Sequence, residues 1–422
     1  MEYLNTKEFA RQMDSTDPLR SYRSKFYFPK HINGEQATYL CGNSLGLQPK
    51  SAKVYIEAVL DDWRDLGVKG HFEGANPFAT YHESLGEQMA KIVGGRKEEV
   101  VAMNSLTVNL HFMMVSFYRP EAGRYKILME KNAFPSDQYA VKSQLEFHGY
   151  DPKEALIELE PRAGEDILRT EDILDLIKEK GREIALIMIG GLNYYTGQAY
   201  DMEQITRAGH EMGCMVGFDL AHGAGNLSLS LHDWDVDFAV WCTYKYMNSG
   251  PGGIAGCFVN ERHHKRKDLI RFAGWWGHDK ATRFLMDDTF VPIQGAEGWQ
   301  MSNETVLSMA ALKASLEIFE EVGMKAIVKK SRLLTRYLEF LIEELKSDRI
   351  QIVTPKQTDS RGAQLSIRVV NSDKSLFKAI SDKGVIADWR EPDVIRIAPA
   401  PLYNSFMDVF NFVQILREEL SI

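Results

Sequence analysis

The sequence predicts an α/β protein: a mainly parallel, doubly wound sheet followed by a smaller α+β portion. Three observations predict it. From about residue 37 to 260, short apolar runs alternate with amphipathic stretches of helix length, the pattern of βαβ units. Past residue 300 the rhythm changes to one long helical region, three short strands and a closing helix. No repeat at a period of roughly 20–50 residues and no low-complexity tract interrupts either part. At about 150 residues per domain, the 422 residues give two to three domains. The pattern divides them into a segment over 1–50 packing with the small domain, a large domain over 51–300 and a small one over 301–422.

Taken in order, the apolar run at 37–41 reads as a strand, and 51–63 as a helix opened after Pro49. The strand at 100–103 leads into a helix over 107–118. A strand at 125–129 precedes a helix at 136–147, and strands at 155–159 and 184–189 are separated by a helix at 170–180. A helix over 203–212 is followed by strands at 215–219, 238–242 and 254–260. The helical region spans 304–346, the late strands 350–353, 362–369 and 394–398, and the last helix 406–420.

Composition narrows the class. With 44% hydrophobic and 26% charged residues the chain is globular, not disordered, collagenous or coiled-coil. The charge of −9 speaks against nucleic acid and anionic membrane as partners. The basic cluster Arg262-His263-His264-Lys265-Arg266-Lys267 has no interleaved aromatics and reads as a solvated face. The apolar stretch around 184–189 is far short of the roughly 18 residues a spanning helix needs. The polar start MEYLNTKEFARQMDSTD has no secretory apolar core, so a cytoplasmic protein is expected. Cys41, Cys214, Cys242 and Cys257 form no C-x-x-C pair and read as reduced thiols.

The most informative segments are Gly217-Phe218-Asp219-Leu220-Ala221-His222 and Cys242-Thr243-Tyr244-Lys245-Tyr246. Each follows an apolar strand, so Asp219 and Lys245 fall at strand carboxyl ends, where open parallel sheets bind ligands. A lysine and a carboxylate that meet there suit pyridoxal phosphate: the amine bonds the cofactor aldehyde, and the carboxylate keeps the pyridine nitrogen protonated. Alone, a loop lysine after a strand is more often a surface residue. The segment Asn104-Ser105-Leu106-Thr107 opens a helix after a strand, leaving free amides for a phosphate, although Thr107 also reads as a plain cap. Phe134-Pro135-Ser136-Asp137 is a second polar cluster at a strand-to-helix junction, with an aromatic face to stack on a ring or to fill a core.

Two motifs are decoys. Gly42-Asn43-Ser44-Leu45-Gly46 matches the G-x-S-x-G of a nucleophile elbow, but it comes too early for the strands that supply an oxyanion hole. Gly250-Pro251-Gly252-Gly253 resembles a dinucleotide loop, yet it leads into a strand instead of a helix. No spacing of histidines and carboxylates reads as a metal site.

From about residue 20 onward the chain resembles kynureninase, a fold type I pyridoxal-phosphate enzyme family. The matching strings are LCGNSLGLQP at 40–49, LTVNLH at 106–111, FPSD at 134–137, YTGQ at 195–198 and GFDLAH at 217–222. They continue with LHDW at 231–234, WCTYKY at 241–246, GW at 274–275, GH at 277–278, SN at 302–303, RIAP at 396–399 and PLYNS at 401–405. The resemblance implies that Lys245 forms the Schiff base, Asp219 pairs with the pyridinium, and His222 lies beside the cofactor. It implies phosphate contacts from Leu106, Thr107, Tyr244 and Trp275, with Phe134, Pro135, Ser136 and Asp137 lining the ring. It gives Arg396 the substrate carboxylate, a task for a guanidinium fork, with Arg390 as the alternative. Trp275 and Asn303 are implied to arrive from the neighbouring subunit of a homodimer. Asn43 and Ser44 are placed with the substrate, and His71 and Asn303 at its aryl ring, where they would bond a 3-hydroxyl. Gly190 departs from the family where some members carry a serine, so that contact is expected to be missing or replaced by water.

The activity implied is hydrolysis of the Cβ–Cγ bond of L-kynurenine or 3-hydroxy-L-kynurenine to anthranilate or 3-hydroxyanthranilate and L-alanine, in tryptophan degradation or NAD biosynthesis. Tyr244 is the candidate proton donor in the later steps. The alternatives are another fold type I enzyme, a cysteine desulfurase or aminotransferase, or a scaffold that binds the cofactor without turnover.

Overall fold

The computed structural model describes residues 2–372 and 374–421. In chain order the strands are β1 (Thr38–Tyr39), β2 (Val100–Ala102), β3 (Lys126–Glu130), β4 (Leu156–Leu159), β5 (Ile184–Gly190), β6 (Met215–Asp219), β7 (Phe238–Trp241) and β8 (Gly256–Val259). The C-terminal part adds β9 (Ile350–Ile352), β10 (Leu365–Val369), β11 (Val385–Ile386), β12 (Asp388–Arg390) and β13 (Val394–Ile397). The helices are α1 (Lys7–Thr16), α2 (Ala52–Leu66), α3 (Tyr81–Val93), α4 (Leu106–Phe117), α5 (Pro135–Phe147), the single turn α6 (Pro152–Ala155), α7 (Thr170–Lys180) and α8 (Met202–Glu211). After them come α9 (Val306–Val322), α10 (Met324–Glu343), α11 (Lys374–Asp382) and α12 (Phe406–Leu420).

The large sheet runs β2-β8-β7-β6-β5-β3-β4; β4, β3, β5, β6 and β7 are parallel, and β8 is antiparallel to both its neighbours. Its central strands β5, β6 and β7 are buried on both faces, which is why they read as continuous apolar runs. Successive side chains alternate between two cores: Ile187, Ile189, Ala239 and Trp241 join one, while Leu186, Met188, Phe238 and Val240 join the other. Strand order reverses between β3 and β5, since the chain steps outward from β3 to β4 and then back across to β5. A ligand crevice is expected beyond the carboxyl ends at that switch point.

The smaller antiparallel sheet, β12-β13-β10-β9, packs with α1, α10, α11 and α12 around a third core that includes Ala10, Met13 and Leu40. β1 pairs in parallel with β11 and so ties the N-terminal segment to this part. The helical region expected over 304–346 is two helices. Gly323 breaks it at φ +75°, with its N–H on the Phe319 carbonyl, 2.8 Å. The first of them, α9, packs on α2 and α3 and shares the large core, where the sequence pattern had grouped it with the small domain.

Candidate active site

The carboxyl ends of β3, β5 and β6 are Glu130, Gly190 and Asp219, and all three line one cavity of about 210 Å³ at the switch point. Lys245 enters it from the turn after β7. That turn is fixed by Thr243, whose hydroxyl lies 2.6 Å from that of Ser249, and by the Asn248 N–H on the Lys245 carbonyl, 3.0 Å. The G-x-S-x-G loop packs against it: the Gly46 N–H donates to the Tyr244 carbonyl at 2.8 Å, and a Cβ at Gly46 would sit 2.3 Å from the Lys245 carbonyl oxygen. The loop is a buttress for the lysine turn.

Of the predicted residues, Leu106 and Thr107 lie at the amino end of α4, and Phe134, Ser136 and Asp137 at that of α5. With Asp219, His222, Tyr244 and Lys245 they line the same cavity. Pro135 is the first residue of α5, where its fixed φ and missing N–H favour a helix start. Lys245 Nζ is 3.0 Å from His222 Nε2 and 5.8 Å from the centre of the Phe134 ring. Burial, then the charges of Lys245, Arg396 and Arg390, hold the His222 imidazole well below its ordinary pKa and therefore neutral. The Asp219 carboxylate accepts the Ala221 N–H at 2.6 Å. Burial raises both Asp219 and Asp137, Asp137 further through the charge of Asp219 and their mutual hydrogen bond.

Glu130 was not foreseen. It is buried, its two carboxylate oxygens accept the Gly190 N–H at 3.2 Å each, and burial followed by the Asp219 charge pushes its pKa up to about 7. A Cβ at Gly190 would come within 2.9 Å of Glu130 Oε1. A side chain at this position would therefore meet the Glu130 carboxyl group. The one signal in the sequence was a charged residue closing an apolar strand, the same signal that marked Asp219.

The remaining predicted residues lie outside this cavity. Arg396, on β13, is buried; its Nε and Nη2 donate to the Asp388 carboxylate and its Nη1 to the Tyr194 carbonyl at 2.9 Å. Tyr194 itself lines the cavity. Asn43 Nδ2 bonds Gln364 Oε1 at 2.9 Å, and Gln364 Nε2 bonds the same Tyr194 carbonyl at 3.1 Å. Ser44 is half-buried in the buttress loop. His71 lines a separate groove with Trp63, Phe78 and Thr305, while Trp275 and Asn303 are exposed.

The residues present fit pyridoxal phosphate. Ser105 makes no side-chain cap on α4, which leaves that helix end open to an anion, and the hydroxyls of Thr107 and Ser136 lie 2.8 Å apart beside it. His222 Nδ1 and Asp137 Oδ1 are buried without a protein partner, two polar atoms a bound group would satisfy. Solved structures with this fold include a cysteine desulfurase from Thermococcus onnurineus NA1 (TM-score 0.74, 17% identical, 100% of both chains covered). Another is a Lys-to-Ala variant of C-DES with glycine covalently linked to its PLP cofactor (TM-score 0.75, 15% identical, 90% of this chain and 96% of that one). Fold and cavity together define a pyridoxal-phosphate-dependent enzyme of fold type I.

Residues 327–416 match the model of the kynureninase C-terminal domain. The chain is 57% identical to kynureninase from Myxococcus xanthus (98% of this chain, 97% of that protein) and 56% identical to kynureninase from Koribacter versatilis (97% and 96%). The chain belongs to the kynureninase family and is accordingly a pyridoxal-phosphate-dependent hydrolase acting on carbon–carbon bonds.

Proposed function

We propose that the chain hydrolyses the Cβ–Cγ bond of L-kynurenine and 3-hydroxy-L-kynurenine, releasing L-alanine and anthranilate or 3-hydroxyanthranilate, a step of tryptophan degradation or NAD biosynthesis. The observation that carries this is the convergence of the Lys245 amine, the Asp219 carboxylate and the open end of α4 in one cavity, in a chain of this family. The bound cofactor supplies an electron sink for the charge that develops on the substrate. Asp219 is the counter-charge for the proton on the ring nitrogen. Lys245 Nζ takes the proton from the substrate α-carbon, next to a neutral His222 that accepts a hydrogen bond without competing as a charge. Burial raises the Tyr244 phenol, so it stays protonated and serves as a donor. Asp388 holds the Nε edge of Arg396, which orients the guanidinium for the substrate carboxylate.

The reading includes a homodimer that completes the site, in the cytoplasm, where four buried thiols stay reduced. Its support is an exposed aromatic chain: His71 packs on Phe72 (6.2 Å between centroids), Phe72 on Phe284 (5.7 Å) and Phe284 on Trp275 (5.4 Å). Aromatic surface on that scale suits an interface, and closing it brings His71, Trp275 and Asn303 to the rim of a site. His71 and Asn303 then bond the 3-hydroxyl of the substrate ring. With α9 counted on the large core, the small domain begins near residue 324. A desulfurase is disfavoured: all four cysteines are buried, and burial pushes the Cys41 thiol up to about 12.

The test is direct. Holoenzyme given L-kynurenine should release fluorescent anthranilate with equimolar alanine, and cofactor-loaded protein that releases neither sinks the reading. A kcat/KM for 3-hydroxykynurenine at least equal to that for kynurenine, lost in Asn303→Ala, supports the hydroxyl contact; a strong kynurenine preference overturns it.

A further inference from the structure

Away from the cavity, His82 and Glu83 in the first turn of α3 meet Glu297 of the short helical turn Ala296–Trp299. Among the described residues this is the one group of three or more histidines, cysteines and carboxylates whose donor atoms all lie within 4.8 Å of one another. His82 is 2% exposed, and its Nε2 has no hydrogen-bond partner although it lies 3.6 Å from Glu297 Oε1. An orphaned buried imidazole nitrogen that faces a carboxylate is an anomaly, since such atoms are nearly always satisfied. The present counter-ion is Lys280, whose Nζ sits 2.9 Å from Glu83 Oε1 and 2.6 Å from Glu297 Oε2 but makes no bond to His82.

We propose that His82, Glu83 and Glu297 form a binding site for a divalent transition-metal ion, Zn²⁺ above all, which takes the place of the Lys280 ammonium. One imidazole and two carboxylates match the donors zinc accepts, with water completing the tetrahedron. Charge favours the exchange: one ammonium leaves two carboxylates at net −1, whereas a dication neutralises both. Lys280 is half-exposed and can move out to water, since pairs of this partly exposed kind hold an ammonium weakly. No covalent bond is made or broken; the ammonium swings out to water as the ion enters. Nothing in the sequence signalled this group, because Glu297 is remote from His82 along the chain.

The experiment uses the cofactor-loaded full chain, freed of metal by a chelator and titrated calorimetrically with Zn²⁺ alone, with Co²⁺ absorbance as a second readout of tetrahedral ligation. One ion per chain is expected, with affinity falling about tenfold or more in Glu297→Gln and in His82→Gln. Lys280→Met should bind about tenfold tighter, because the competing ammonium is gone. Equal affinity in wild type and Glu297→Gln, an exchange at a partly exposed residue, overturns the proposal. So does the absence of binding to Lys280→Met.

Discussion

On the floor of the cavity, Glu130, Asp137 and Asp219 are 4%, 6% and 7% exposed, and the protein groups they meet come from the same chain, with Asp137 Oδ1 left over for a bound group. On the outer face, Trp275, Phe284 and Leu285 are 44%, 55% and 74% exposed, and the aromatic chain from His71 to Trp275 has water on one side. The floor must hold fixed charges in a low dielectric, where an unanswered carboxylate costs several kcal/mol, so one folding unit supplies the protein partners and a bound group the rest. The face is apolar and carries no such electrostatic cost, and in the proposed homodimer a second copy covers it. Under the proposed homodimer, chemistry is built into a single chain, while recognition of the substrate ring falls to the pair.

If the floor is complete within one chain, its central amine is indispensable. Lys245→Ala should lower kcat by about a thousandfold or more and abolish the visible absorbance band of the bound cofactor, with the circular dichroism of the fold unchanged. A variant that keeps even a tenth of the wild-type rate removes Lys245 from the chemistry. The next largest effect is on stability. Glu130 has its pKa raised in the fold, so its contribution favours folding at low pH and is lost as pH climbs from the unfolded carboxylate range through about 7. The cofactor-free protein should lose on the order of 3 kcal/mol from this group between pH 4.5 and 8. Glu130→Gln, which keeps an oxygen for the Gly190 N–H, should flatten that part of the profile. Parallel melting curves against pH for the two proteins would falsify the assignment.

What the sequence revealed follows the same division. Strands buried on both faces leave apolar runs, and the residues that close them, Asp219 among them, stand out by charge; hence the large sheet and most of the floor were readable. Glu130 closes β3 in the same way, yet it is followed by Lys131 and reads as an ordinary strand exit. Short helices such as α1, which buries only Ala10 and Met13 against its surroundings, owe their stability to docking on α12 and carry a weak local signal. The pairing of Arg396 with Asp388 depends on the register of β12 against β13, which puts these two residues opposite each other. Local sequence holds no record of that register, so Arg396 was identified by family likeness while its partner was not.

Arg396 is buried beside the cavity, bonded to the carbonyl of Tyr194, which lines it. Because Asp388 grips it on two nitrogens, Arg396→Lys loses both the fork and its orientation. We expect kcat/KM to fall about 10–100-fold, the worth of a charge-assisted hydrogen bond of about 1.5–3 kcal/mol, mostly through KM. A fall confined to kcat would move the arginine from binding to positioning. Asp388→Asn should produce a smaller loss in the same direction.

The smallest signal is the most discriminating. Lys245→Ala damages the floor and Trp275→Ala the face, so each homodimer is inactive if every site draws its floor from one chain and its face from the other. Mixed by denaturation and refolding, half the dimers carry one of each chain, and in these one site collects both defects and the other neither. A two-fold axis therefore predicts recovery of about a quarter of wild-type activity. If Trp275 served the cavity of its own chain, each site of the mixed dimer would keep one defect and nothing would be recovered. Recovery at that level would establish that the exposed aromatic face of one copy completes the buried cavity of the other; its absence would confine the whole site to a single chain.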